Sequence, residues 1–271
     1  MTEWLRLTTG LTVRALGLFV AGAVLLAGCA GGTTITGTEN VVTQVPFASG
    51  EVAVYELLDV DGAVIGRGTL TVEAQDGRLR FEQRFVESEP ATTTQPASDL
   101  IVVVTEIDTL KPVGGGREIT RASGVEQYGW TYIPPASPEH EVRLEVERLD
   151  EGGGDGDADE MNVREHHYDN ESSLWLWRTL AFSEQYEARY VSVSAIERNQ
   201  QAVDLSISER NTVEVPAGTF ETYRLLVRNG RATRVAWINV EPPHQVVRWD
   251  NGEQVFQLVQ FDAGGVAVVG R

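Results

Sequence analysis

Residues 51–85 read EVAVYELLDVDGAVIGRGTLTVEAQDGRLRFEQRF and contain three β-prone segments separated by two turn signals. Asp61-Gly62 lies between Glu51–Leu58 and Ala63–Ala74, and a pair of this kind is typical of a tight β-hairpin. Asp76-Gly77 begins the next turn. After it, apolar side chains alternate with charged ones: Leu79, Phe81 and Phe85 against Arg80, Glu82 and Arg84. This alternation predicts an antiparallel sheet with one buried face.

The same kind of pattern continues along the rest of the chain. Residues 100–104 form a continuous apolar run, which predicts a strand buried on both faces, and Val113–Gly116 interrupts the pattern. Glu141–Arg148 alternates cleanly between apolar and charged residues. Further strands are expected near 219–228, 231–240, 245–250 and 253–262, with turns at Asn229-Gly230, Pro242-Pro243 and Asn251-Gly252. Strands at this spacing predict an all-β barrel or sandwich.

One segment of the chain predicts a helix. Asn170–Phe182 has Asn170 or Ser172 as a possible N-cap. Its apolar surface would comprise Leu174, Trp175, Trp177, Leu180 and Ala181. The prediction is therefore an all-β fold with a minor helical part.

The N-terminal region carries the signal for location. An uncharged run, Ala15–Ala27, follows Arg14 and is shorter than a membrane span, as in a secretory signal peptide. Its end, Leu26-Ala27-Gly28-Cys29, resembles the lipobox of bacterial lipoproteins, which implies that Cys29 is acylated and becomes the mature N-terminus. The alternative is an ordinary signal peptide or an uncleaved anchor in which Cys29 is incidental. We predict a signal peptide (1–28), a lipidated cysteine with a flexible tether (29–40) and a single β-rich extracytoplasmic domain (41–271).

Composition limits the classes of partner. The chain has a net charge of −18, and without residues 1–28 it keeps 39 acidic and 20 basic residues. Proteins that bind nucleic acid or anionic lipid surfaces are usually basic, so both functions are disfavoured. Cys29 is the only cysteine, so no disulfide can form within the chain.

A family resemblance rests on Val215-Pro216-Ala217-Gly218-Thr219-Phe220. Pro216 and Ala217 suit the corners of a type I turn and Gly218 a positive φ, which predicts a three-residue hairpin loop. With Tyr223, the stretch resembles a signature of the domain-of-unknown-function 3108 family of exported bacterial proteins. Weaker agreement follows in order at Gly50-Glu51, Tyr55, Gly66–Leu70, Asp108–Pro112 and Trp237. The resemblance implies an antiparallel open β-barrel or half-barrel, like the lipoprotein carriers, and it brings no catalytic residues.

Metal sites are not expected from the acidic and histidine clusters. Asp155, Asp157 and Asp159 alternate as at the start of a calcium loop, but Glu160 and His166 stand where that loop needs Gly and Glu. A solvated acidic loop over Asp150–Glu160 is the better interpretation. His166 and His167 would point to opposite faces of a strand, away from a shared metal with Asp169, and His140 and His244 lack ligand spacing. We therefore predict no metal and no cofactor.

The tryptophans are the remaining candidates for a binding site. No nucleophile elbow or phosphate-binding glycine loop is present, so we predict that the protein is not an enzyme. Five tryptophans could line an apolar cavity or could fill the core: Trp130, Trp175, Trp177, Trp237 and Trp249. Trp175 and Trp177 are two apart on a helix, about 200° from each other, so they cannot share one face.

The predicted function is that of a lipid-anchored envelope lipoprotein, facing the extracytoplasmic side, that binds an apolar or lipid-like ligand. The alternative is a structural or assembly factor that binds another envelope protein. A roomy apolar cleft would favour the first function, and a filled barrel with an exposed apolar patch would favour the second.

Overall fold

One continuous sheet of fifteen strands surrounds the interior in the computed structural model, which describes residues 37–88, 96–137, 140–149, 158–230 and 232–267. Two further short strands, β1 and β17, pair with each other. The strands are β1 (Ala48–Ser49), β2 (Glu51–Leu58), β3 (Val64–Gln75), β4 (Arg78–Glu87), β5 (Ser98–Glu106), β6 (Pro112–Arg121), β7 (Gly124–Ile133), β8 (Val142–Leu149), β9 (Ala158–Val163), β10 (His167–Asp169), β11 (Glu187–Ser194), β12 (Asn199–Val215), β13 (Gly218–Asn229), β14 (Ala232–Asn239), β15 (Val246–Asp250), β16 (Val255–Asp262) and β17 (Val266–Ala267).

The sheet forms a nearly closed barrel. Its order is β10-β11-β12-β13-β14-β15-β16-β2-β3-β4-β5-β6-β7-β8-β9, and the pairs are antiparallel except β10 with β11. The edge strands β9 and β10 are consecutive in the chain, joined only by residues 164–166, so the two edges lie close together. Long antiparallel sheets close in this way because each strand pair adds twist. The predicted antiparallel barrel is confirmed.

Side chains hold the seam between the two edges. The Gln200 side-chain carbonyl accepts the Arg164 backbone N–H at 2.9 Å, and its amide donates to the Asn162 carbonyl at 2.9 Å. Arg198 forms an ion pair with Asp159 across the same seam. These polar contacts satisfy edge groups that would otherwise be free to pair with another chain.

The helical segment Asn170–Thr179 is shorter than the predicted Asn170–Phe182. It consists of a 3₁₀ turn (Asn170–Ser172), α1 (Ser173–Leu176) and a second 3₁₀ turn (Trp177–Thr179), after which Leu180 is extended with ψ 158°. The N-cap is Asp169, rather than Asn170 or Ser172. Asp169 ends β10 with extended backbone, and its Oδ1 accepts the Glu171 N–H at 2.9 Å.

This helical segment lies inside the barrel. Trp175 stacks on Phe81 of β4, whereas Trp177 packs against Trp249 of β15, and Arg178 pairs with Glu51 of β2. These partners come from different sides of the barrel. A helix that is buried all round in this way belongs to a core rather than a surface.

Residues 39–47 belong to the barrel, although we expected a flexible tether as far as residue 40. The Glu39 N–H donates to the Arg189 carbonyl at 2.8 Å. The N–H groups of Thr43 and Gln44 both donate to the Thr179 carbonyl, so they satisfy the end of the helical segment instead of forming a ladder. The first strand after this segment is β1.

Two strand predictions from the middle of the chain are wrong. In β5 the inward-facing Ile101 and Val103 are buried, but the outward-facing side chains of 100, 102 and 104 are only partly covered. Val113–Gly116 does not break the sheet, because β6 runs through it. A Cβ at Gly115 would collide with the Trp130 ring and the Val102 carbonyl, so glycine here makes room for the indole.

The remaining hairpins follow the predicted pattern. Strands β2–β4 and β13–β16 occupy the expected segments, and β2 buries Ala53, Tyr55 and Leu57 on its inner face. Gly218 has the predicted positive φ of 133°. It pairs directly with Val215, so the β12–β13 loop has two residues rather than three. No helix in the described part of the chain is long and apolar enough to span a bilayer.

Candidate functional site

A cavity of about 270 Å³ lies between the helical segment and the inner faces of β4 and β11–β16. Its apolar wall consists of Phe85, Leu174, Trp177, Val203, Val227, Trp249 and Phe256. Alternation along the strands points the strand members of this set inward, and Leu174 and Trp177 come from the helical segment. The volume is near the lower end of the range for small-molecule sites, roughly 300–1,000 Å³.

A larger polar cleft of about 590 Å³ adjoins this cavity. The two share wall residues from the helical segment and from the strand ends: Asn170, Glu171, Ser192, Asn229, Arg234, Asn251 and Glu253. The cleft also contains Arg117 and Glu197. The apolar cavity and the polar cleft are therefore parts of one site with chemically different ends, which we call the barrel cleft.

Trp177 and Trp249 are the two predicted tryptophans that border this cavity. Their ring centroids are 4.7 Å apart at an interplanar angle of 54°. The Trp177 Nε1–H points to the Tyr190 hydroxyl, at 3.4 Å. Together the indoles form an aromatic wall with the geometry of a favourable ring pair.

Trp175 lies on another side of the helical segment and does not border the cavity. It is 2% exposed, and its ring stacks on Phe81 at 4.7 Å with an interplanar angle of 22°. Phe81 in turn contacts Phe47 edge-on. Trp175 therefore fills the core.

Trp130 also lies away from the cavity, in a second apolar cluster with Ile101, Val103 and Leu144. Its Nε1–H donates to Asp169 Oδ2 at 2.9 Å. A buried indole with a satisfied N–H has a structural place rather than a ligand-binding one.

Trp237 projects from the outer face of β14, so its inclusion among the cavity candidates was wrong. Its neighbours Ala236 and Ile238 are fully buried and point inward, and the pleat turns Trp237 the other way. The Arg248 guanidinium lies 5.2 Å from its ring centroid. This outer tryptophan provides a natural control for the inner ones.

Asp169 joins the helical segment to β7. Its Oδ2 accepts hydrogen bonds from Trp130 and from the Tyr132 hydroxyl, at 2.9 and 3.0 Å, while Oδ1 caps the helical segment. Burial, together with the nearby Glu171 charge, raises the pKa of Asp169 to about 7, although the donated hydrogen bonds oppose the shift. From the sequence, we considered Asp169 only as a metal ligand. Its position between a predicted strand and a predicted helix was the signal that could have identified it as the N-cap.

Three charged residues form a network beside the polar cleft. Arg117 donates to Asp99 from Nε at 2.9 Å and from Nη2 at 2.5 Å, and its Nη1 lies 3.8 Å from Glu171 Oε1. Burial raises the pKa of Glu171, and the Arg117 charge opposes that shift. This network was not predicted, because its members are far apart in the sequence.

The adjacent histidines His166 and His167, which we did not expect to share a metal, have separate hydrogen-bond partners. His166 Nδ1 is bonded to Thr38 Oγ1 at 3.1 Å, whereas His167 Nδ1 is bonded to the Arg164 carbonyl at 3.0 Å. Among the described residues, no group of three or more His, Cys, Asp or Glu side chains could hold a metal. Asp155, Asp157 and Cys29 lie outside the described residues.

Comparison with known proteins identifies the fold but no family. No protein-family model and no curated protein matches the chain, so the resemblance to the 3108 family remains a prediction. The structure is similar to a beta-barrel-like protein of the domain of unknown function DUF1849 from Brucella abortus, over 80% of this chain and 98% of that one, at 10% identity and a TM-score of 0.53.

Two other solved structures are more distant. A candidate lipoprotein from Parabacteroides distasonis aligns over 83% of this chain and all (100%) of its own, at 12% identity and a TM-score of 0.31. A candidate exported protein with a YmcC-like fold from Bacteroides fragilis aligns over 82% and 99%, at 9% identity and a TM-score of 0.30. These two scores are too low to support an argument. The Brucella protein shows that this chain has a barrel-like fold, and its low identity supports nothing more.

Proposed function

We propose that this protein is a non-enzymatic envelope lipoprotein whose barrel cleft binds a small apolar or lipid-like ligand. The observation that carries the proposal is the tryptophan pair, Trp177 and Trp249, which forms an apolar wall open to a polar cleft. Ligand sites are commonly apolar with a few polar groups that orient the ligand. The lipid anchor on Cys29 and the extracytoplasmic location rest on the N-terminal sequence.

The test uses N-phenyl-1-naphthylamine, an uncharged apolar fluorophore that brightens on leaving water. The purified domain should bind the probe, and Trp249→Ala should weaken binding by about 1–3 kcal/mol because an aromatic anchor is lost. Trp237→Ala, on the outer face, is the matched control and should bind as the wild type does.

A cavity-filling variant keeps the proposal testable if Trp249→Ala unfolds. Val227→Phe adds volume at the apolar wall without removing a core contact, so it should block the probe while the circular dichroism spectrum is kept. If the wild type binds no probe, or if Val227→Phe binds it unchanged, the cleft is not the ligand site.

The second candidate function is binding of another envelope protein. The observation behind it is a set of exposed valines near the β2–β3 turn and the end of β4. Val60, Val64 and Val86 are 78%, 50% and 45% exposed. Such residues can belong to a docking surface. Failure of all probe binding would favour this function.

A further inference from the structure

Arg234 lies where the apolar cavity meets the polar cleft, and it borders both. It follows the same alternation as Ala236 and Ile238 on β14, so it projects into the barrel. Its register partner on β13 is Val227, which belongs to the apolar wall. Ala236, two residues further along, is the register partner of Trp249. The Arg234 backbone is therefore about 7 Å along the strand from the level of that indole.

Arg234 acts on the Tyr190 hydroxyl through its charge, but it has no hydrogen-bond or ion-pair partner within the described part of the protein. Its Nε is buried and makes no hydrogen bond, and no ion pair or side-chain hydrogen bond joins it to a described residue. The Asn229 Oδ1, on the same wall, is also buried and accepts no hydrogen bond from a described residue. A guanidinium stays charged at any physiological pH, so a buried N–H without an acceptor costs free energy.

The other two arginines of the interior show the contrast. Arg178 and Arg117 each donate to a carboxylate through two nitrogens. Arg248 also has a buried Nε without a hydrogen-bond partner among the described residues, but it lies on the outer face against Trp237 and is not part of the barrel cleft. Arg234 therefore combines an unsatisfied donor, a fixed positive charge and a cavity wall.

The surroundings restrict the charge of a ligand that could satisfy Arg234. Glu171, Glu197 and Glu253 border the polar cleft, and Arg117, the cation that acts on Glu171 and Glu197, is already paired with Asp99. A head group with several negative charges would be repelled by these carboxylates. A singly charged carboxylate or phosphodiester could accept the guanidinium N–H groups while its hydrocarbon chain extends toward the aromatic wall.

We infer that Arg234 is the head-group site of the barrel cleft and that the ligand is a single-chain amphiphile with one negative charge, held by its head at Arg234 and by its chain against Trp177 and Trp249. This inference rests on the proposed function. It adds the class of ligand and the residue that distinguishes an anionic from a neutral lipid.

The experiment compares cis-parinaric acid, a fluorescent fatty acid, with its uncharged methyl ester. The wild type should bind the acid about tenfold or more tightly than the ester, as expected for a charge-assisted hydrogen bond. Arg234→Gln should abolish that preference by weakening the acid alone. Arg228→Gln, an arginine exposed on the outer face of β13, removes the same charge and should keep the preference.

Displacement of the acid then identifies the source of the head group. Lauric acid carries a carboxylate, and lysophosphatidylglycerol carries a singly charged phosphodiester. The inference is supported if either compound displaces cis-parinaric acid from the wild type but not from Arg234→Gln. The compound that does so identifies the head group as a carboxylate or a phosphodiester. If the Gln variant loses its fold, Arg234→Lys keeps the charge without the planar donor pair, and should retain a reduced preference for the acid.

Two results would overturn the inference. In the first, the wild type binds the acid and the ester with equal affinity while N-phenyl-1-naphthylamine still binds. The apolar cleft would then remain a ligand site, but Arg234 would not be its head-group site. In the second, Arg228→Gln weakens acid binding as much as Arg234→Gln does. The preference for the acid would then reflect the net charge of the protein and not a site at Arg234. Failure of every probe, the neutral fluorophore included, would instead reject the proposed function itself.

Discussion

Arg178 donates to both carboxylate oxygens of Glu51, at 2.5 Å from Nη1 and 2.9 Å from Nη2, with side chains that are 4% and 2% exposed. The same guanidinium donates to the Pro243 carbonyl from Nε and Nη2. These contacts join the helical segment to β2 and to the β14–β15 loop. A buried pair of this geometry sets the position of the helix in the barrel more than it adds net stability.

Breaking this pair should be costly, whereas replacing it should be tolerated. Glu51→Ala or Arg178→Ala should lower the free energy of unfolding by about 3–5 kcal/mol, because each leaves a buried charge alone. The double variant Glu51→Leu with Arg178→Met should cost less than either single variant. Urea unfolding measures all three. A double variant that costs the sum of the singles would contradict this account.

Asp169 should make stability depend on pH. Its pKa is about 7 in the folded protein against an ordinary 3.8, so the folded state holds this proton more tightly. The stabilisation is complete below pH 4 and is lost as pH rises to 7, by a few kcal/mol in total. The difference in unfolding free energy between wild type and Asp169→Asn should therefore fall over this interval.

His167 should change stability in the opposite direction. Burial, with the nearby Lys111 charge, lowers its pKa to about 4, so the folded state favours the neutral ring. Its contribution is present above pH 6.5 and is lost as pH falls toward 4. The His167 contribution therefore opposes the Asp169 contribution between pH 4 and 6.5. Without it, the free energy of unfolding of His167→Gln should fall more steeply than that of the wild type as the pH rises above 4. Denaturant unfolding at several pH values measures this difference. Parallel curves for wild type and both variants would contradict these titrations.

Gly115 should tolerate no side chain. Gly115→Ala would place a Cβ against the Trp130 ring and the Val102 carbonyl, so we expect a loss of about 1–3 kcal/mol from overpacking. Gly129→Ala, on the neighbouring strand β7, is the control because its Cβ would meet nothing within 4 Å. Thermal unfolding compares the two, and equal shifts would mean that β-propensity rather than the indole sets the cost.

The core and surface tryptophans should differ in their effect on stability. Trp175→Ala should cost about 3–5 kcal/mol, because a large cavity remains beside Phe81. Trp237→Ala should cost about 1 kcal/mol or less, because the ring is only half-buried outside the barrel. Guanidinium unfolding measures both. A large loss at Trp237 would indicate that this outer ring has a packing role in the fold.

The anchor predicted at Cys29 can be tested directly. Cys29→Ser should move the protein from the membrane fraction to the soluble fraction, because several acyl chains are needed for stable attachment. Detergent phase partitioning together with intact-protein mass measures the change. Wild-type protein that enters the aqueous phase without acyl mass would contradict lipidation.

Much of the barrel could be predicted from the sequence because strand and turn signals are local. The alternation in β4 and β8 reflects one buried face, and the Asp-Gly pairs mark the turns from β2 to β4. These signals lie within a few residues of each other, so no knowledge of the closed sheet is needed. The helical segment was also predicted, but it ends at Thr179 rather than at Phe182.

The cleft depends on contacts between distant parts of the chain, which local patterns do not contain. Trp237 illustrates the limit: Val235 and Trp237 alternate with Ala236 and Ile238, and both sets are apolar, so pattern alone could not tell the inner face from the outer one. Strand register made that choice. In the same way, the sequence determined that strands, turns and aromatic residues were present. Only closure of the barrel around the helical segment decided that Trp177 meets Trp249 and that no carboxylate of a described residue pairs with Arg234, because these neighbours are brought together by the tertiary fold alone.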